Sequence, residues 1–392
     1  MISLEEARRM IAEAIQPRAS EQLSLADARG CVLAEDVKAD AAYPSADRSM
    51  MDGYAIGDDD AHEFRVTGEV RTGAVPGFVI GRGECARIFT GAELPAGAAF
   101  VIPQEDVERV GEVIKVPRRP AKTCIRRRGV EAQPGDVVLV RGSRLGAADL
   151  AILAQVGVTR VPVHPPARVA HIATGDELIA PDGALAAGQT RDTNSTLIAA
   201  LVAECGGRIA RQDRCGDDPQ KLGEWARTAK GDVLLISGGA SVGDYDFGAR
   251  MLRDAGFTIH FDKVNLRPGK PLTFATRGAH AAFVIPGNPV SHFVCFHVAI
   301  RLALELVQGA QPLWETVLVE LGGEQALRGD ARETWWPACV AVRESRLVAE
   351  PRRWTSSGDT FSLAGTNALL RVTGDVMPGA QVPVLLLDVP RG

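Results

Sequence analysis

An apolar run of strand length, Asp232 to Ile236, breaks at once into Ser237-Gly238-Gly239-Ala240-Ser241-Val242-Gly243-Asp244-Tyr245-Asp246. Continuous apolar strands bounded by glycine belong in parallel sheets covered on both faces, and ligands collect where such strands end. Two further loops of this kind follow. Asn265 to Pro271 carries Arg267 and Lys270 between prolines, and Pro286-Gly287-Asn288-Pro289-Val290-Ser291 joins the strand Ala281 to Ile285 to an apolar helix. The three loops read as one anion-handling mouth.

A chain of 392 residues exceeds one ordinary core, so several domains are expected. The formal net charge of -5 argues against a general nucleic-acid binder. The seven cysteines, Cys31, Cys85, Cys124, Cys205, Cys215, Cys295 and Cys339, are odd in number and contain no C-x-x-C pair. Free thiols of a reducing cytoplasm are therefore expected, with no disulfide framework or zinc cluster. Glu5 and Glu6 stand where a secretory leader needs an apolar run, and no segment approaches 18 uncharged apolar residues, so no membrane association is expected.

Ser3 and Glu6 form a capping box for a helix whose face is Leu4, Ala7, Ile11, Ala14 and Ile15, ending at Pro17. Extended chain then leads to Ser49-Met50-Met51-Asp52-Gly53-Tyr54-Ala55, where Asp52 taken alone reads as a turn carboxylate accepting backbone N–H groups. Short alternating runs punctuated by Gly and Pro, from about Glu63 to Arg141, predict a β-rich insert that includes Thr90. Arg126-Arg127-Arg128-Gly129 within it is either a bidentate phosphate clamp or a solvated charge run. Helical periodicity over Gly146 to Val156 predicts a helix packed beside the N-terminal one.

Beyond Pro166 strand and helix alternate, predicting a doubly wound α/β domain of mostly parallel strands. Thr174-Gly175-Asp176-Glu177 ends its first strand, Asn194 or Ser195 caps the next helix, and Asp218-Pro219 caps another. One sheet edge thus gathers Asp176, Glu177, Asp217, the loop from Ser237 to Asp246, Arg267, Lys270 and Gly287 to Ser291. Carboxylates beside cations and glycine backbone suit a magnesium-bound phosphate ester. Asp218, and Asp217 with it, also read as cap or turn residues. The tail after Gln311 predicts a small β-barrel or sandwich with Trp335, Trp336 and Trp354 in its core or an interface. Walker and dinucleotide glycine spacings are absent, and His292 and His297, five apart, read as core or interface residues instead of a zinc pair.

Ser49 to Ala55, Ile125-Arg126-Arg127-Arg128-Gly129, Thr174 to Leu178, Asp192-Thr193-Asn194, Ser237 to Gly243, Arg267-Pro268-Gly269-Lys270-Pro271 and Pro286 to Ser291 together resemble the MoeA family of molybdopterin molybdenumtransferases, which includes the gephyrin C-terminal domain. The resemblance implies an elongated homodimer in which the α/β domain of one subunit and the β insert of the other share a cleft. It implies a discontinuous N-terminal domain at 1–45 and 142–166, the insert at 46–141, a MogA-like α/β domain at 167–310 and a C-terminal barrel at 311–392.

The implied reaction inserts molybdate into adenylylated molybdopterin with Mg2+, releasing AMP and molybdenum cofactor. Carried onto this chain, the resemblance assigns Asp52, Glu177, Asp246, Lys263 and Lys270 to catalysis and Glu177, Asp217 and Asp246 to metal. It assigns Thr90, Arg126, Arg128, Glu131, Asp217, Ser237, Gly238, Gly239, Ser241, Gly243, Arg267, Pro286, Gly287, Asn288 and Ser291 to substrate binding. Molybdopterin adenylyltransferase and apo-molybdoenzymes are the implied partners. Where the family usually shows Arg-Gly-Glu-Asp, this chain has Arg128-Gly129-Val130-Glu131, and Arg267 replaces a frequent lysine. A MogA-type adenylyltransferase and a non-catalytic cofactor-holding paralogue are the alternatives.

Overall fold

The computed structural model describes residues 1–118, 122–239, 247–312 and 314–390. These divide into two compact units, one of 1–34, 142–146 and 161–392, the other of 35–141 and 147–160.

The first unit is built on a six-stranded sheet in the order Arg208–Cys215, Arg168–Thr174, Val233–Ser237, His280–Ile285, Thr273–Arg277, Thr258–Phe261. The first four strands are mutually parallel and the last two antiparallel. Strand alternation sends Val169, Val233 and Leu235 into one apolar core and Ala170, Ile172, Leu234 and Ile236 into another on the opposite face. Both faces being covered explains why Val233 to Ile236 is continuously apolar.

The first core is closed by the Asn194–Glu204 helix and by helical chain from Pro289 to Val307 that is π-helical over Phe296–Ile300. The latter is long and apolar enough by composition to cross a membrane, but 78% of its window is buried within the protein. The N-terminal helix Leu4–Ala14 packs here too through Leu4, Ala7 and Ile11, with the Ser3 hydroxyl accepting from the Glu6 N–H at 3.1 Å. Neither Asn194 nor Ser195 caps its helix. The N-cap is Thr193, whose side chain makes no capping bond, and the Asp192 carboxylate just before it satisfies the terminus in its place, accepting from Ser195 N at 3.0 Å and Ser195 Oγ at 2.6 Å. Asp218 caps the Pro219–Thr228 helix as its sequence predicts.

The tail is a closed five-stranded barrel. Its strands run Glu333–Arg343, Arg346–Pro351, Val317–Leu321, Gln381–Leu386, Ala368–Val372, and the last pairs back to the first. The short strand Leu266–Arg267 adds to the barrel's edge, pairing with Glu333 and Thr334, so the cationic loop is anchored to the barrel. Trp335 is buried in the α/β core, where it joins the two parts.

The second unit centres on a six-stranded mixed sheet in the order Phe100–Pro103, Gly53–Ile56, Glu84–Ile88, Glu63–Val70, Val113–Lys115, Glu108–Val110. The Ala147–Gln155 helix belongs to this unit, whereas the N-terminal helix belongs to the first.

Candidate functional site

The four parallel strands end at Thr174, Cys215, Ser237 and Ile285, and their loops open on a cleft of about 750 Å³. From the sheet side it is lined by Thr174, Gly175 and Glu177, by Asp217, by Gly238 and Gly239, and by Pro286, Gly287, Asn288 and Ser291. Arg267 to Pro271 forms a second wall, and Arg332 with Trp354 to Ser357 of the barrel a third. The structure thus unites Glu177, Asp217, Gly238, Gly239, Arg267, Lys270, Pro286, Gly287, Asn288 and Ser291 of the sequence-derived set.

Among the glycines of this lining, Gly238 and Gly175 both take a backbone conformation that favours glycine. Gly238 has φ +102, and a Cβ there would lie 2.6 Å from Thr174 Oγ1 and 2.7 Å from Thr174 O. Gly175 has φ +152, and its Cβ would meet the Glu177 carboxylate at 2.5 Å. The chain turns sharply at both points, leaving main-chain polar groups where a phosphate-like anion would sit.

Charge of both signs lines the cleft. Asp217 Oδ1 accepts from Thr174 Oγ1 at 3.1 Å, and Asp217 N donates to Asp176 at 3.2 Å. Arg267 donates to Asp330 Oδ2 at 2.9 Å, and the same carboxylate accepts from Arg332 Nε at 3.1 Å. Those contacts, the Arg332 hydrogen bond first, hold the Asp330 carboxyl down to about 2. One barrel carboxylate therefore orients two guanidiniums toward the cleft. The Pro286 to Ser291 loop is held on both sides: Asn194 Nδ2 donates to Gly287 O at 2.7 Å, and Asn288 Nδ2 to Ser357 Oγ at 2.7 Å. Asn288 precedes the helix that begins at Pro289, whose first backbone donor, Val290 N, is taken by Ser357 O at 3.0 Å, a further tie between this loop and the barrel.

Ser237 does not line the cleft; its hydroxyl lies beneath the floor, bonded to His171 and His292. Lys263 is exposed and also outside the lining set, its carbonyl accepting from Ile2 N. Ser241, Gly243 and Asp246 lie outside the described residues. No group of three or more metal-type donors occurs among the described residues.

Asp52, Thr90, Arg126, Arg128 and Glu131 belong to the second unit. Asp52 Oδ1 accepts from Thr90 N at 2.7 Å and Thr90 Oγ1 at 2.8 Å, and the backbone bond chiefly lowers its pKa. Its local role is thus the backbone acceptor that Asp before Gly suggests. In the arginine run, Arg126 pairs with Glu131 at 3.1 Å and Arg127 with Asp47 at 2.6 Å. The Arg128 backbone N–H donates to Asp47 at 2.8 Å.

Sequence reasoning missed the barrel's share of the cleft. Arg332 and Thr355 to Ser357 sit in stretches with no glycine-rich signature, and Trp354 was expected in a core or an interface. Instead it stacks on Trp336, ring centroids 4.3 Å apart at 19°, and lines the cleft.

Comparison with known proteins places these features in one family. Residues 2–157 match the MoeA N-terminal region (domains I and II), 170–305 a probable molybdopterin binding domain, and 325–387 the MoeA C-terminal region (domain IV). A molybdopterin molybdenumtransferase of Nostoc sp. is 34% identical over 95% of this chain and 89% of its own length. Another from Bacillus subtilis is 30% identical over 100% of this chain and 95% of its own. Among solved structures, a molybdopterin biosynthesis MoeA protein of Pyrococcus horikoshii superposes with a TM-score of 0.82 at 27% identity, covering 98% of this chain and 100% of that one. Whole-length similarity at this level, on a cleft of this chemistry, establishes that the chain belongs to the MoeA family.

Proposed function

We propose that this chain is a molybdopterin molybdenumtransferase of molybdenum cofactor biosynthesis, inserting molybdate into adenylylated molybdopterin and releasing AMP and the finished cofactor. The observation that carries the reading is the single cleft in which Arg267, Lys270 and Arg332 face glycine backbone and the carboxylates Glu177 and Asp217. Molybdate and the adenylyl phosphates are tetrahedral oxyanions, for which guanidinium, ammonium and backbone N–H donors are matched partners.

Glu177 and Asp217 fit magnesium, which is ordinarily held by one or two carboxylates together with phosphate and water. That ion would supply charge neutralisation at the phosphates. Arg267 and Arg332, oriented by Asp330, hold the anion. Trp354, with one face on Trp336, offers an aromatic surface to a planar ring.

Asp52, Thr90, Arg126, Arg128 and Glu131, in the second unit, supply the face that a partner subunit would present in a homodimer with a shared cleft. A molybdopterin adenylyltransferase upstream and apo-molybdoenzymes downstream are the functional partners of this reaction. Seven free thiols support a cytoplasmic location.

The test is AMP release from adenylylated molybdopterin and magnesium, with and without micromolar molybdate. Molybdate-dependent release whose product activates an apo-molybdoenzyme is the expected result. Tight binding without release would overturn it in favour of a protein that only holds the cofactor.

A further inference from the structure

Below the cleft floor, three polar side chains meet inside an apolar core. Ser237 Oγ is 2.7 Å from His171 Nε2 and 2.6 Å from His292 Nε2. His171 and His292 are 0% exposed and Ser237 1%. His171 is in register with Gln212 on the edge strand, and Ser237, two residues on from the Leu235 that His171 faces, points to the same side of the sheet. Pro289 to Val307, which carries His292, covers that side.

Proton counting gives this cluster a direction. Gln212 Nε2 donates to Ser195 O at 2.8 Å, which fixes the amide's orientation, and lies 3.3 Å from His171 Nδ1. That ring nitrogen must therefore accept, so the proton of His171 is on Nε2 and goes to Ser237 Oγ. The single hydroxyl proton of Ser237 then goes to His292 Nε2. His292 carries its own proton on Nδ1, facing Asn288 O at 3.4 Å. His171, Ser237 and His292 each donate once and accept once, and the Gln212 amide donates at the head of the chain.

We propose that Gln212, His171, Ser237 and His292 form a one-way hydrogen-bond chain that positions the cleft, tying the end of the central strand to the backbone of Asn288. Gly238, the residue after Ser237, and Asn288, the acceptor at the end of the chain, both line the cleft, and Gln212 links the chain's other end to the helix whose Asn194 holds Gly287. A rotation of either ring would transmit to the glycine floor. An added proton breaks the sequence: on His171 it faces the Gln212 amide N–H, and on His292 it strands the Ser237 hydroxyl. Burial is the main influence keeping both rings uncharged. The charged group acting on both is Asp192, whose carboxylate is already bound to Ser195. His171 and His292 are thus positioning residues, and only the kinetic half of their test rests on the reaction proposed above.

The first arm is 15N NMR of imidazole-labelled full-length protein at pH 7, with signals assigned through His171→Gln and His292→Gln. Opposite neutral tautomers are expected, Nε2–H at His171 and Nδ1–H at His292. Identical tautomers, or a charged ring, would overturn the chain. The second arm compares His292→Gln, whose side-chain oxygen accepts near the position of Nε2, with His292→Leu, which cannot accept. Leaving a buried hydroxyl unmatched should lower kcat for AMP release about tenfold in the leucine variant, with KM within about threefold, while glutamine stays within about threefold of wild type. Equal kcat in the two variants would overturn the positioning role. Should the leucine variant not fold, the tautomers decide. Wild-type protein that releases no AMP would sink the proposed reaction, yet the tautomer result would stand.

Discussion

Arg267 of the cleft donates to Asp330 of the barrel at 2.9 Å, and Arg332 reaches the same carboxylate at 3.1 Å. The barrel thereby sets the direction of charges that the α/β sheet alone leaves free. Asp330→Ala removes the shared acceptor and restores side-chain freedom to both guanidiniums. Although net positive charge in the cleft rises, anion binding should weaken, because an oriented donor contributes more than an added diffuse charge in water. A fall in kcat/KM of about tenfold is expected, the loss of one charge-assisted hydrogen bond. Steady-state AMP release checks it, and a gain in kcat/KM would show that the two cations need no orientation.

Gly238→Ala tests the floor. A Cβ cannot occupy a point 2.6 Å from one Thr174 oxygen and 2.7 Å from another, at φ +102, without shifting the loop. A cost of about 2 kcal/mol or more is expected, together with a drop in activity greater than about tenfold. Thr174→Ala in the same background removes the hydroxyl and leaves the carbonyl, so rescue should be partial. Thermal unfolding with parallel activity measurement decides, and a fully active, equally stable Gly238→Ala would refute the close approach.

The loops after Val233–Ser237 and His280–Ile285 were legible because each follows a continuous apolar run and breaks on glycine, a local signal that survives without tertiary context. The closed barrel, the N-terminal helix and the Asp218 cap were readable on the same grounds. The Asp192 cap was not, because it reaches past two residues to Ser195, and cap geometry does not follow from the identity of the adjacent residue. Trp354 was hidden for a related reason: an aromatic side chain fits a core and a cleft wall equally well, and only the stacked Trp336 tells them apart. His171 and His292, 121 positions apart, meet at a hydroxyl on a third element, a relation with no sequence spacing to betray it.

In the second unit, Asp52 calls for two variants. Its Oδ1 accepts from both the N–H and the hydroxyl of Thr90, so Asp52→Asn keeps an acceptor oxygen there while removing the charge, and Asp52→Ala removes both. If Asp52 acts through its charge, the asparagine variant should unfold within about 2 °C of wild type and still lose more than about tenfold in activity. The alanine variant should lose activity and stability together. Because Thr90 lowers the Asp52 pKa, the carboxylate stays charged throughout the neutral range, and activity should show no acid limb from this group above pH 5. Full activity in Asp52→Asn would leave Asp52 as a loop acceptor only.

Three buried imidazoles make stability depend on acid. Burial pushes His171 down to about 4 and His292 and His297 to about 3. In the unfolded chain each titrates near about 6.5, so below that pH the unfolded state takes up protons that the folded state refuses. The resulting stability is fully present above about pH 6.5 and is lost as pH falls toward 4 and 3, by up to about 1.4 kcal/mol per pH unit for each ring. His297 isolates one share of this. It packs edge-on against Phe293 at 4.6 Å, and neither ring nitrogen has a hydrogen-bond partner among the described residues. His297→Leu, close in volume and without a desolvated polar edge, should be neutral or stabilising at pH 7 and more stable than wild type at pH 5. Urea midpoints across pH 5 to 8 measure the difference. Parallel curves for the two proteins would mean that His297 binds its proton equally well folded and unfolded.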